Sequence, residues 1–111
     1  MVFIESKWFS RRLHELAGGK ADEVLRAIQN DLLDSPSRGR VMRGLGGIRK
    51  GRCANPSRAK GKRGGCRYLY LFLPYKGHLH LLFLFDKDEQ DDLTPVERGI
   101  LRRLVGEIKE L

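Results

Sequence analysis

The order of apolar and polar positions divides the chain into a short opening strand, two helices, a run of strands and a closing helix. Val2, Phe3 and Ile4 open as a strand, and Ser6 stands where a helix N-cap is needed. From there a helix is predicted to Ala17, with Trp8, Phe9, Leu13 and Leu16 near one face and Gly18-Gly19 as its stop. A second helix is predicted from about Ala21, carrying Leu25, Ile28 and Leu32 at helical spacing and Asp22 and Glu23 in its first turn. It ends before Ser35-Pro36, because the residue before a proline disfavours helical backbone. The two helices are expected to form a hairpin.

Strands are predicted at Val41-Met42, Ile48 to Cys53, Arg67 to Leu73 and Leu79 to Phe85. In the third of these Tyr68, Tyr70 and Phe72 alternate with Leu69, Leu71 and Leu73, which predicts a central strand covered on both faces. Pro74-Tyr75-Lys76-Gly77 turns the chain into the last strand. Thr94-Pro95-Val96-Glu97 has the pattern of a capping box, and the helix it opens presents Ile100, Leu101, Leu104, Val105, Ile108 and Leu111 as its apolar face. Strands grouped together with helices at both ends predict an α+β fold: a small, mainly antiparallel sheet with an N-terminal helix hairpin and a C-terminal helix.

The 111 residues are expected to form one domain, 1–111, large enough to bury roughly two-thirds of the surface of the unfolded chain. The longest apolar runs, Tyr68 to Pro74 and Leu79 to Phe85, are too short to span a bilayer, and Glu5 and Lys7 interrupt any signal-peptide pattern. A soluble, cytoplasmic protein with no membrane partner is the expectation. Cys53 and Cys66 have neither Cys-x-x-Cys spacing nor a second pair, so they are read as free thiols that a hairpin would bring close.

Charge changes the picture most. Between Arg38 and Arg67 lie eleven of the 22 Lys and Arg residues and none of the 14 Asp and Glu residues, so thirty residues carry +11. The other 81 residues hold eleven cations and fourteen acids, a net −3. Like charges held together by a fold repel unless an anion meets them, and nucleic acid is the first candidate. Strand period puts Lys50 and Arg52 on one face, opposite Arg49 and Cys53. Arg67 opens the strand after a loop that adds Arg58, Lys60, Lys62 and Arg63, and Lys87 follows the last strand. If these strands are neighbours, the cations converge on one concave face that cradles a phosphate backbone.

Other motifs fail on inspection. Gly46 to Gly51 has the glycine spacing of a phosphate-binding loop, but Arg52-Cys53 replaces the Lys and the Ser or Thr that such a loop needs. Asp86 to Glu97 has the length of a calcium loop, with Asp91 where the turn needs Gly. His78 and His80 share a strand face but lack a third ligand, so neither a metal nor another cofactor is expected, and His14 is read as structural. Phe85, beside Lys87, is a candidate for stacking on a base, whereas Tyr70 and Phe72 in mid-strand are read as core.

Three spaced motifs then resemble a known family. Gly46-Gly47-Ile48-Arg49-Lys50, the basic loop ending Gly61-Lys62-Arg63-Gly64-Gly65-x-Arg67, and Leu81-Leu82-x-Leu84-Phe85-Asp86-Lys87-x-Glu89-x-x-Asp92-Leu93 together resemble the HigB branch of the RelE and ParE superfamily of bacterial toxins. The resemblance runs from Val2-Phe3-Ile4-Glu5 to the final helix. It implies an mRNA endonuclease that works in the ribosomal A site. It also implies a cognate, HigA-like antitoxin with a helix-turn-helix domain, and contact with operator DNA only through that partner. The positions matching the family's catalytic cations are Lys50, Arg52, Arg67 and Lys87, while Arg49, Arg58, Lys60, Lys62, Arg63 and Phe85 are the expected RNA contacts. Gly51 and Cys53 stand where larger residues are common, which would thin the packing behind Lys50 and Arg52, and Phe85 replaces a frequent Tyr.

The chemistry such a set supports is metal-independent attack of a ribose 2′-hydroxyl on the neighbouring phosphate. A lysine crowded by like charge is a better base than a free one, so Lys50 or Lys87 is expected as base or acid, with Arg52 and Arg67 as electrostatic clamps. Two alternatives use the same fold without cutting RNA. One is a ParE-like inhibitor of DNA gyrase, the other a non-catalytic RNA-binding module.

Overall fold

The computed structural model describes residues 1–56, 65–90 and 92–111. After β1 (Val2–Glu5), helix α1 (Lys7–Ala17) starts where the Ser6 hydroxyl accepts the Phe9 N–H at 2.9 Å. A 3-10 turn at Gly18–Lys20 leads directly into α2 (Ala21–Asp34). The strands that follow are β2 (Arg40–Val41), β3 (Arg49–Cys53), β4 (Cys66–Leu73) and β5 (His78–Asp86), and α3 (Pro95–Glu110) closes the chain behind the expected Thr94–Glu97 capping box.

The five strands form one mixed sheet in the order β1-β5-β4-β3-β2, with β1 parallel to β5 and every other neighbour antiparallel. Pairing with β1 over residues 78–81 puts that part of β5 in the interior of the sheet. β4 is central, and its alternation sorts into two clusters. Tyr68 and Tyr70 join Phe9, Leu13, Leu16, Val24, Ile28 and Leu32 from the first two helices. Leu69, Leu71 and Leu73 join Leu101 and Val105 of α3. Because successive strand residues point to opposite faces, the helices cover the sheet from both sides. Phe9, Ile28 and Leu32 are fully buried, each stabilising the fold by about 1.5–3 kcal/mol relative to exposure.

Beyond shifts of one residue at the ends of β3, β4 and β5, three features differ from the sequence reading. β2 starts at Arg40 rather than Val41, and Met42 leaves the strand with its N–H donated to the Ile48 carbonyl at 2.8 Å while its side chain enters the core. β5 carries one extra residue, since Leu69 pairs with Phe83 but Tyr70 with Leu81. The residue left over is Leu82, and its carbonyl accepts the Ser6 hydroxyl at 2.7 Å. The apolar face of α3 is also narrower than its sequence suggests, because Ile100 and Leu111 are exposed. Among the described residues no helix is long and apolar enough to cross a membrane.

Candidate nucleic-acid interface

β2 is only two residues long, and its ladder with β3 stops at Arg40 opposite Lys50. The chain arriving from α2 therefore diverges from the edge of β3 beyond that pair, and a cavity of about 400 Å³ opens there. Arg38, Gly39 and Arg40 line one side, and Lys50, Gly51 and Arg52 of β3 the other. Arg67 and Tyr68 of β4 reach it as well, as does Asp31 near the end of α2. Among the described residues, five cations thus share one cavity with a single carboxylate.

Local structure fixes this arrangement. Arg52 and Arg67 are directly opposed across the β3–β4 ladder, a like-charge pairing that costs stability unless an anion is shared. Arg67 is only 6% exposed and donates to the Cys66 carbonyl at 3.2 Å. Burial, and after it the Arg52 charge, lowers its pKa from the ordinary guanidinium value. Arg67 is therefore not at an exposed strand start. The central place of β4 buries it and presents its charge from the cavity wall. Arg38 lies 3.6 Å from the Asp31 carboxylate and also donates to the Asp31 carbonyl at 3.1 Å, which anchors the segment between α2 and β2.

Gly51 makes the close approach of β4 possible. A methyl group added there would fall on the Tyr68 ring and 2.5 Å from its hydroxyl. The space behind Lys50 and Arg52 is accordingly not thinned, as the small residue suggested, but filled by an aromatic ring from the next strand. Tyr70 occupies the same face two residues on. Its hydroxyl accepts the Gly39 N–H and donates to the Pro36 carbonyl, both at 2.9 Å, so that it ties the segment before β2 to the sheet. Burial raises the pKa of both phenols.

The remaining expected site residues divide. Arg49 donates through one nitrogen to the Ser37 and Gly39 carbonyls at 3.0 and 2.8 Å, a structural staple for the approach to β2. Phe85 is 0% exposed, sits opposite Arg67 and packs with Phe83 at 6.0 Å between ring centroids. It is core and does not face a base, because its ring packs into the cluster that α3 covers. Lys87 is exposed one residue past β5, with its N–H on the Gly65 carbonyl, and does not line the cavity. Arg58, Lys60, Lys62 and Arg63 lie outside the described residues. Cys53 and Cys66 face each other across the ladder as buried free thiols, and their mutual hydrogen bond, followed by burial, holds the Cys53 pKa well above the ordinary value. Such thiols are poor nucleophiles.

Sequence reasoning missed Asp31, Gly39 and Tyr68 as wall residues, and did not single out Arg38 and Arg40 from the charge run. Their shared location depends on how the end of α2 meets β3, which no local pattern encodes. Among the described residues no group of three or more His, Cys, Asp or Glu side chains is placed to hold a metal ion.

No protein-family model matches the chain. Solved structures of similar fold do exist. An arginine double mutant of the E. coli RelE toxin in the free state superposes with a TM-score of 0.56 at 14% identity, covering 81% of this chain and 86% of that one. The isolated E. coli RelE toxin gives 0.56 at 13% identity, over 93% and 97% of the two chains. The intact E. coli RelBE toxin–antitoxin complex gives 0.55 at 15% identity, over 77% and 94%. The fold is thus α+β and RelE-like, with a five-stranded mixed sheet.

Proposed function

We propose that this chain is the toxin of a toxin–antitoxin pair and acts as a metal-independent endoribonuclease on mRNA at the ribosome, in the manner of the HigB-like branch that its motifs resemble. The observation that carries the reading is the cluster of Arg38, Arg40, Lys50, Arg52 and Arg67 around one cavity at the edge of a RelE-like sheet. A partner antitoxin follows from the same reading, since the neighbouring RelBE structure is a toxin–antitoxin complex and a face rich in cations attracts an anionic cover. A HigA-like partner carrying a helix-turn-helix domain is the form it takes here.

In this mechanism the 2′-oxygen attacks the adjacent phosphorus as its proton leaves to a base. The P–O bond to the 5′-oxygen then breaks, and an acid protonates the departing oxygen. Arg52 and Arg67, opposed across the ladder, are placed to stabilise the extra negative charge of the phosphorane, since cationic groups held in position before the reaction gain most when that charge develops. Lys50 projects from the same strand face as Arg52 and lines the cavity, which Lys87 does not, so it is assigned the proton transfer ahead of Lys87.

The test is cleavage of translated message by purified protein on ribosomes. Arg67→Ala is expected to slow cleavage about a hundredfold to a thousandfold. Arg103→Ala, an exposed cation on α3, should leave it near wild type. Equal and small effects of the two changes at matched ionic strength reduce Arg67 to one of many interchangeable phosphate contacts. Gyrase-dependent DNA breaks without new message ends would establish the ParE-like alternative instead.

A further inference from the structure

Two tyrosines stand two residues apart on the same face of β4, and only one has its hydroxyl satisfied. Tyr70 both accepts and donates a hydrogen bond. Tyr68 is 1% exposed and lines the cationic cavity, yet its hydroxyl makes no hydrogen bond with any described residue. A buried phenol ordinarily finds a partner, and one that does not calls for a ligand. No fully sealed side-chain nitrogen or oxygen lacks a partner among the described residues, so the Tyr68 hydroxyl is open to the cavity rather than entombed.

The position of that hydroxyl is built. It lies over Gly51, the β3 residue paired with Tyr68 and flanked by Lys50 and Arg52, where any side chain would displace it. Strand alternation turns Gly51 and Tyr68 to the face opposite Lys50 and Arg52, yet all four line the one cavity at the sheet edge, so a group seated there meets the neutral donor and the cations together. We propose that Tyr68 is a direct ligand-contacting residue of this cavity, donating its O–H to a phosphodiester oxygen of single-stranded RNA held by Lys50 and Arg52. The assignment rests on the reading of the cavity as the RNA site. Burial, with Tyr70 and Asp31 adding to it, keeps the phenol protonated at physiological pH, so it serves as donor and not as base.

Tyr68→Phe isolates the hydroxyl, since the ring and its packing over Gly51 remain. The probe is a short single-stranded RNA methylated at its 2′-oxygens, bound by the full chain without being cut and followed by fluorescence anisotropy over a salt series. Tyr68→Phe is expected to weaken binding about tenfold to a hundredfold, the range of a hydrogen bond to a charged group, with the melting temperature unchanged. Its salt slope should also stay unchanged, because a neutral donor releases no counterion. Lys50→Ala, by contrast, should weaken binding and lower the slope by about one. If Tyr68→Phe binds as wild type while Lys50→Ala and Arg52→Ala weaken binding, the hydroxyl is not a ligand contact and the RNA site stands without it. If none of the three changes matters, the cavity is not the RNA site, and both the reading and the assignment fall. Weakened binding accompanied by a lower melting temperature would assign Tyr68 to packing and overturn the proposal.

Discussion

At the scale of single residues the decisive positions are those where two side chains compete for one space or one charge. Gly51→Ala is expected to destabilise the fold by about 1–3 kcal/mol, because the added methyl meets a ring wedged between strands rather than a flexible chain end. Urea denaturation measures the loss, and combining Gly51→Ala with Tyr68→Ala should recover part of the clash, a non-additivity that independent sites do not show. Cys53 and Cys66 are a second such pair. Alkylation should be slow for the native protein and complete at both positions once it is unfolded, as read by mass. Loss of both labels together with two mass units would reveal a cross-strand disulfide instead. The lesson on sequence reading belongs at this scale too. The cations of the cavity came from a charge run visible without coordinates, whereas nothing local marked Tyr68 as a wall residue. Its place there depends on the ring seated over Gly51 of the neighbouring strand.

At the scale of elements, caps and turns were readable because their chemistry is local. The Thr94–Glu97 box and the Ser6 cap form as their residues dictate. Burial of strand ends was not readable, because it depends on which neighbour pairs. Phe85 stood near the end of its strand beside Lys87, but it packs into the cluster that α3 covers, and Arg67 is buried on the central strand between β3 and β5. Ser6 joins the local and the long-range cases, since its hydroxyl caps α1 and binds the Leu82 carbonyl at the bulge. Ser6→Ala therefore loses more than a cap, about 2 kcal/mol rather than the typical ~1, and thermal melting against a Thr94→Ala control measures the difference. β5 also carries a pH response. His80 is buried beside His78, and burial, then His78 and Lys76, lowers its pKa below the ordinary 6.5. The unfolded chain then binds the proton more readily than the folded one, so stability is full above about pH 6.5 and falls as pH drops through that value toward the folded pKa. His80→Gln should flatten the melting temperature between pH 7.5 and 5.5 relative to wild type.

For the whole molecule the formal charge is +8, and among the described residues five cations and one carboxylate line the cavity. RNA affinity should accordingly fall steeply with salt, and each cavity cation removed should reduce the slope of log affinity against log salt by about one, while removing Arg103 should have a smaller effect. The mixed sheet has a consequence for the order of events during synthesis. Residues 2–5 pair with residues 78–81, so the first strand made has no partner in the sheet until most of the chain has left the ribosome. Closing a loop of that length is slow compared with forming the helices, and β1 is the part of the sheet that joins late. Until it does, β5 is an open edge and the bulge carbonyl at Leu82 lacks its Ser6 donor. A nascent chain that has already made every cation of the cavity therefore does not yet have a finished sheet, and the cell has an interval between translation of the basic segment and completion of the molecule that bears it.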